Sequence, residues 1–192
     1  MDPVTLTSER LLLRPVGPHD TDAVHDACQD PEIQRWIPIP SPYLREHAAS
    51  FTEQMVPDGW ADSSMFTFGM FLPVTGELVG TVGLTMRSLG AAEIGFWVTK
   101  QHRGNGYITE AVGVTSRWGF TDLAIDRVEW RAEVGNTGSR TVAERAGFTI
   151  EGVLRSGINN KGVRRDIWVG SLLPSDLGLP STAPYVPAPE RD

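Results

Sequence analysis

Apolar positions along this chain change period several times, and the changes mark out its elements. Between Leu6 and Arg14, Leu11 and Leu13 share one side of an extended chain and Leu12 takes the other. That pattern predicts a first strand buried on much of both faces. Pro15, Gly17 and Pro18 end it. Asp20 is then placed to cap a helix running to about Gln29, with Ala23, Val24 and Ala27 on one stripe. Three prolines between Ile37 and Pro42 exclude both helix and central strand, so a loop is expected there. A helix is predicted from about Leu44 to Met55, stopped by Pro57, with Gly59 and Trp60 in a further loop. These segments carry Trp36, Ile37, Tyr43, Phe51, Met55 and Trp60. Such an aromatic load reads either as a small satellite core or as the wall of a substrate pocket formed by Trp36, Tyr43 and Trp60.

From Ser64 the period becomes two. Met65 to Leu72 and Leu78 to Met86 are predicted strands joined by a turn at Pro73 to Gly76. A third strand is expected from Ala92 to Val98, so the middle of the chain reads as an antiparallel meander. Helical spacing returns from about Gly106 to Leu123, with Ile108, Ala111, Val112, Thr115, Trp118 and Gly119 on one side. A strand over Val128 to Val134, a helix over Thr137 to Ala146, and strands over Phe148 to Leu154 and Arg164 to Leu172 complete the pattern. The fold class expected is α+β (mixed α/β), with one central, mostly antiparallel sheet of about seven strands flanked by helices. One domain, 1–173, is expected. The tail, 174–192, is rich in Pro, Ser and Ala and is expected to be disordered or an arm.

Composition narrows the function. The 192 residues are 40% hydrophobic and 21% charged, as in a soluble globular protein, and a chain of this length needs no disulfide or metal staple. Cys28 is the single cysteine, so no intramolecular disulfide can form. The start of the chain does not read as a signal sequence, and no run reaches the ~18–20 apolar residues of a membrane helix, so a cytoplasmic protein is expected. A net charge of -7 argues against nonspecific nucleic-acid binding, which requires a basic face. His19, His25, His47 and His102 are scattered without ligand spacing, so no metal site is expected.

One motif carries chemistry. Gln101-His102-Arg103-Gly104-Asn105-Gly106 lies between a predicted strand and a predicted helix. Glycines permit close approach of a ligand to backbone. The unpaired N–H groups and the dipole at the start of the next helix favour an anion. The turn therefore reads as a pyrophosphate cradle. It is not the dinucleotide fingerprint GxGxxG, because Thr109 takes the third glycine place, and it lacks the Lys-Ser/Thr end of a nucleotide P-loop.

Gln101-x-x-Gly104-x-Gly106 resembles the pyrophosphate motif of GNAT acetyltransferases. The run Arg103 to Ala111 resembles the ribosomal-protein alanine N-acetyltransferase (RimJ/RimL-type) branch. Thr7 to Pro15, Asn136-x-x-Ser139 with Glu144 to Phe148, Glu151 to Arg155 and Asp166 to Leu173 resemble further segments of that branch, in order. The resemblance covers about residues 5 to 173.

That resemblance implies an acyl-CoA-dependent N-acyltransferase, with acetyl-CoA or another acyl-CoA as co-substrate. A splayed strand pair would hold it. The backbones of Phe96, Trp97 and Val98 would pair with the pantetheine arm. The amides of Arg103, Gly104, Asn105, Gly106, Tyr107 and Ile108 would hold the pyrophosphate. Asn136 would bond the arm, although it also reads as a helix N-cap. Arg140 and Arg145 are candidates for the 3′-phosphate. The acceptor implied is an amine or a peptide N-terminus, attacking the thioester directly after a base takes its proton. Many members of the family use a tyrosine as the acid that protonates the thiolate. Here the matching position is Ala143, so the serine of the RimJ/RimL-type element, Ser139, is the candidate acid as well as a cofactor contact. Glu93, on the strand face of Gly95 and Trp97, is the favoured base and Glu133 the second choice. Each also reads as a solvated strand carboxylate. Asp166 is either structural or substrate-facing. A non-catalytic acyl-CoA-binding module is the alternative reading, and a homodimer is compatible with the sequence.

Overall fold

A computed structural model describes residues 1–181, 183 and 185–188 of the chain. One eight-stranded sheet runs through it: β1 (Leu6–Thr7), β2 (Leu12–Arg14), β3 (Met65–Phe71), β4 (Leu78–Met86), β5 (Ala91–Val98), β6 (Arg127–Glu133), β7 (Thr149–Asn160) and β8 (Val163–Leu172). Their spatial order is β1-β2-β3-β4-β5-β6-β8-β7. Every pairing is antiparallel except β5 with β6. A parallel neighbour requires a crossover, and α5 (Tyr107–Asp122) supplies much of it.

The mixed α+β fold and the mostly antiparallel sheet agree with the sequence pattern. Three local differences have physical reasons. The expected first strand is a hairpin of β1 and β2, with Leu6 opposite Leu13, because Ser8 Oγ accepts from the Leu11 N–H and turns the chain. Asp30 and Pro31 start an additional short helix, α2 (Pro31–Trp36), after α1 (Thr21–Ala27). The Asp30 side chain accepts from the Glu32 N–H, and Pro31 occupies a first-turn position where no N–H is needed. Finally, Pro57 does not end the next helix. α3 (Arg45–Ser50) runs through a π turn, Phe51–Met55, into α4 (Val56–Asp62). The Val56 N–H reaches back five residues to Phe51 O. The wider turn lets the ring of Pro57 continue the helix instead of clashing with the carbonyl four residues earlier.

Trp60 on α4, Phe66 and Phe68 on β3, and Trp118 on α5 form one aromatic cluster. Trp60 lies 5.0 Å from Phe66 and 5.2 Å from Phe68, edge to face. Trp118 lies 5.4 Å from both phenylalanines, also edge to face. Such pairs add about 0.5–1.5 kcal/mol each beyond area burial. Trp60 Nε1 donates to Thr67 O at 3.2 Å, so its one polar group is satisfied within the core. α6 (Thr137–Arg145) follows β6 and packs against α5. After β8, Leu177 and Leu179 pack on the core and Ser181 Oγ donates to Asp126 Oδ1 at 2.8 Å. Of the tail expected to be disordered or an arm, residues 182, 184 and 189–192 lie outside the described residues.

The close approach of β4 to β5 depends on Gly80, since a β-carbon there would sit 2.1 Å from Trp97 O. Gly80→Ala is expected to destabilise the domain by about 1–3 kcal/mol, the range for overpacking. Urea unfolding measures it, and stability equal to wild type would refute this view of the β4–β5 contact.

Candidate functional site

β5 and β6 are partners only from Ala91 opposite Arg127 to Ile94 opposite Trp130. Beyond that point β5 stays with β4 as far as Val98 opposite Gly80, and β6 stays with β8 as far as Glu133 opposite Ile167. The two strands therefore splay. The edge of Gly95–Val98 that faces β6 has no strand partner among the described residues, so its backbone groups are available. A cavity of about 980 Å³ occupies the gap. Phe96, Trp97, Val98, Arg103, Gly104, Ile108, Asn136 and Ser139 line it, so the structure brings most of the expected cofactor contacts together.

The glycine turn closes one end. Gly104 and Gly106 have φ of 81° and 76°, in the left-handed region that favours glycine. A β-carbon at Gly104 would meet no atom within 4 Å, so the cradle is open and the constraint there is conformational. The first intrahelical bond of α5 runs from Glu110 N–H to Gly106 O at 3.1 Å. The amides of residues 107–109 precede it and have no partner within the helix. Together with the dipole of α5 they favour negative charge at this turn. The turn is braced from outside: Arg10 Nη1 donates to Asn105 O at 3.0 Å, Arg10 pairs with Glu110 at 2.6 Å, and Arg10 also lies over the Tyr107 ring. Arg103 pairs with Asp30, and His102 with Glu77 at 2.9 Å. Arg140 is engaged by Glu144 at 2.8 Å and lies over Trp168, while Arg145 is exposed.

Asn136 caps α6, its Oδ1 accepting from the Ser139 N–H at 3.2 Å. Ser139 Oγ accepts from Trp130 Nε1 at 3.0 Å. An indole N–H can only donate. Ser139 therefore uses a lone pair on Trp130 and retains its own hydroxyl hydrogen for another acceptor.

Three carboxylates line the cavity: Glu32, Glu93 and Glu133. Glu93 is paired with Arg87 at 2.7 Å and more loosely with Arg131 at 3.7 Å. Glu133 is buried and takes both Nη groups of Arg35, at 3.1 and 2.5 Å, with Asn160 Nδ2 at 3.0 Å. These bonds, Arg35 foremost, bring its carboxyl down to about 2. A carboxylate held that low is a poor proton acceptor. Asp166 lies outside the cavity lining, its Oδ1 accepting from the Ser156 N–H at 2.8 Å. Glu32 accepts from Trp36 Nε1 at 3.1 Å. Sequence reasoning missed Glu32, Arg35 and Asn160. The signal for the first two was the Asp30-Pro31 helix start.

Of the expected aromatic wall, Trp36, with Ile37 and Phe51, lines the cavity. Tyr43 and Trp60 do not. They are 5% and 1% exposed and belong to the core, because the helix that continues past Pro57 turns Trp60 inward. Met55 is exposed. Among the described residues no cluster of His, Cys, Asp and Glu is placed to hold a metal ion, and no helix is long and apolar enough to cross a membrane.

The Glu133 carboxyl is lowered from 4.5 to about 2 on folding. Its contribution to stability is thus full above 4.5 and is lost as pH falls toward 2. Glu133→Gln is expected to lower stability at neutral pH by about 1–3 kcal/mol and to flatten the loss between pH 4.5 and 2. Urea unfolding across that range checks it, and an unchanged slope would contradict the pairing.

Comparison with known proteins agrees with this geometry. The family described as acetyltransferase (GNAT) domain matches residues 10–149. The uncharacterized N-acetyltransferase p20 of Bacillus licheniformis is 33% identical over 171 residues, spanning 88% of this chain and 96% of that protein. The structure of Mycobacterium smegmatis RimJ in complex with CoA-disulfide superposes with a TM-score of 0.82 at 25% identity, covering 93% of this chain and 92% of that one. A GNAT-family acetyltransferase from Bacillus anthracis shares the fold with a TM-score of 0.79 at 24% identity, over 90% and 99% of the two chains. A splayed strand pair, a glycine turn at a helix start and a family match over most of the chain lead to one conclusion: this chain belongs to the GNAT acetyltransferase family, resembles its RimJ/RimL-type branch, and is an acyl-CoA-dependent N-acetyltransferase.

Proposed function

We propose that the chain transfers an acetyl group from acetyl-CoA to a primary amine, on a peptide N-terminus, an amino acid or a small molecule, by direct attack of the amine on the thioester. The observation that carries this reading is the Ser139 hydroxyl, held by Trp130 with its hydrogen free beside the splayed strands.

The residues present fit acetyl-CoA. Gly104 leaves open space at the cradle, Gly104 and Gly106 supply its left-handed backbone, and the start of α5 offers donors to a pyrophosphate. The backbones of Arg103, Gly104, Asn105, Gly106, Tyr107 and Ile108 hold the phosphates. The free edge at Phe96, Trp97 and Val98 takes the pantetheine arm as an added strand, and its N–H groups polarise the acyl carbonyl. Asn136 keeps its carboxamide N–H groups for the arm while its Oδ1 caps α6. Bound acetyl-CoA supplies the activated acyl carbonyl.

Proton movement falls to the side chains. Ser139 donates to the departing sulfur. The position matching the tyrosine of many relatives is Ala143, which is 1% exposed and has no proton to give, so the acid must come from elsewhere. Glu93 is the carboxylate that serves the amine. Arg87 and Arg131 hold it in position, and it takes the proton through water. Glu133 is held too low for this and braces the acceptor end. Trp36 forms the acceptor wall.

Ser139→Ala is expected to lower kcat about 10²-fold, the lower end for general acid–base catalysis, with the KM for acetyl-CoA changed less than about threefold. CoA release with an amine panel measures it. Equal rates would reduce Ser139 to a first-turn serine. Gly104→Glu puts a carboxylate into the phosphate cradle and is expected to abolish acetyl-CoA binding in calorimetry, with ATP as the control ligand. Unchanged affinity would remove the turn from the site.

A further inference from the structure

A second cavity, of about 190 Å³, adjoins the acceptor end of the first. Arg35, Asn160, Lys161, Val163 and Arg165 line it, and Asn160 lines both. It is built by α2 and the tip of the β7–β8 hairpin. The hairpin turns on Lys161 and Gly162, with φ of 51° and 82°, a two-residue connection with both residues left-handed. Val163, Arg165 and Ile167 alternate onto one face of β8, and Ile167 lines the main cavity. Arg165 therefore lies on the face that runs into the acceptor site.

The charges here do not balance. Arg35 is matched: it donates both Nη groups to Glu133 and also feels Glu32. Arg165 comes only within 3.8 Å of the same Glu133, already taken by Arg35, and its side chain is 50% exposed. Lys161 Nζ donates to a backbone carbonyl, Gln34 O, at 2.7 Å, and has no carboxylate within 4.0 Å among the described residues. Two cations at this mouth are thus underused, in a chain whose net charge is -7. Asn160 adds a second feature. Its Oδ1 is buried and has no hydrogen-bond partner among the described residues, so the junction of the two cavities holds an acceptor that needs an N–H.

We infer that the acceptor amine carries an anionic group, a carboxylate or a phosphate, which lodges between Lys161 and Arg165 while the amine enters the main cavity past Asn160. This rests on the amine-transfer reading above and names its substrate class. Guanidinium and ammonium donors recognise both anions by the same charge-assisted hydrogen bonds, and a neutral amine leaves both cations unanswered.

The test uses the full chain and four dipeptide amides with the same N-terminal alanine. The second residue is glutamate, glutamine, phosphoserine or serine. Calorimetric Kd in the presence of CoA and kcat/KM by CoA release are read for each. The charged member of each pair is expected to bind about fivefold to tenfold more tightly than its neutral counterpart, as one or two half-exposed ion pairs supply. The preference should shrink with added salt. The larger of the two preferences tells carboxylate from phosphate. The double variant Lys161→Gln, Arg165→Gln is expected to lose the preference and to leave the neutral peptides unchanged, with a melting curve confirming that it folds. Equal Kd values within both pairs, no measurable binding of the charged peptides, or a preference retained in the double variant would overturn the inference. Charge preference in calorimetry without CoA release from any peptide would keep the anion site and overturn amine transfer instead.

Discussion

The pairing of β5 with β6 stops after Ile94 and Trp130, and the site depends on where it stops. Each strand has a better partner beyond that point: β5 keeps its antiparallel ladder with β4, and β6 keeps its own with β8. Both ladders hold while the gap between them opens. A strand edge left unpaired in a sheet interior is costly unless something replaces the lost hydrogen bonds. An extended ligand with amide groups of its own meets that requirement. Gly80 sets the same strand from the other side, since only a hydrogen at its α-carbon lets β4 approach Trp97 O closely. One face of β5 is thus fixed by packing and its free edge is left for chemistry.

The last residue of β6 to pair with β5 does a second job. Trp130 is 1% exposed and belongs to the core, yet its Nε1 reaches Ser139 Oγ. The direction of that bond matters more than its strength. Because the indole cannot accept, the serine must, and its hydroxyl is left as a donor. The same residue that ends the strand pairing therefore orients the hydroxyl at the mouth of the gap. Asn136 fixes the backbone of Ser139 in the first turn of α6. Two contacts, from a core side chain and a cap, define the position of the group.

Much of this was legible in the sequence, for reasons that can be located. The glycine turn was readable because left-handed φ at Gly104 and Gly106 demands glycine and because a strand and a helix flank it. The meander was readable because period-two alternation survives in β3 to β5. Trp60 was misplaced because Pro57 reads locally as a stop, while a π turn, a tertiary adjustment with no single-residue signature, carries the helix through. With Trp60 on a helix, the aromatic cluster with Phe66, Phe68 and Trp118 becomes core. The pairing of Glu133 with Arg35 was invisible because it joins residues 98 apart. Strand position alone made Glu133 resemble Glu93. Only the partners separate the two: Glu133 is gripped by Arg35 and Asn160, Glu93 by Arg87 and more loosely by Arg131.

α2 joins these parts. It is six residues long and could not persist as an isolated helix, since nucleation alone outweighs one turn of hydrogen bonds. Its order comes from both ends. Asp30, its cap, pairs with Arg103 of the phosphate turn, and Arg35, in its last turn, is gripped by Glu133 at the end of β6. Ile33 between them is buried in the core. The helix runs beside the cavity between the glycine turn and the end of β6 and presents Glu32 and Trp36 to it. The pair from Asp30 to Arg103 holds one end and the pair from Arg35 to Glu133 holds the opposite end in place, so α2 is pinned at both termini by partners distant in sequence.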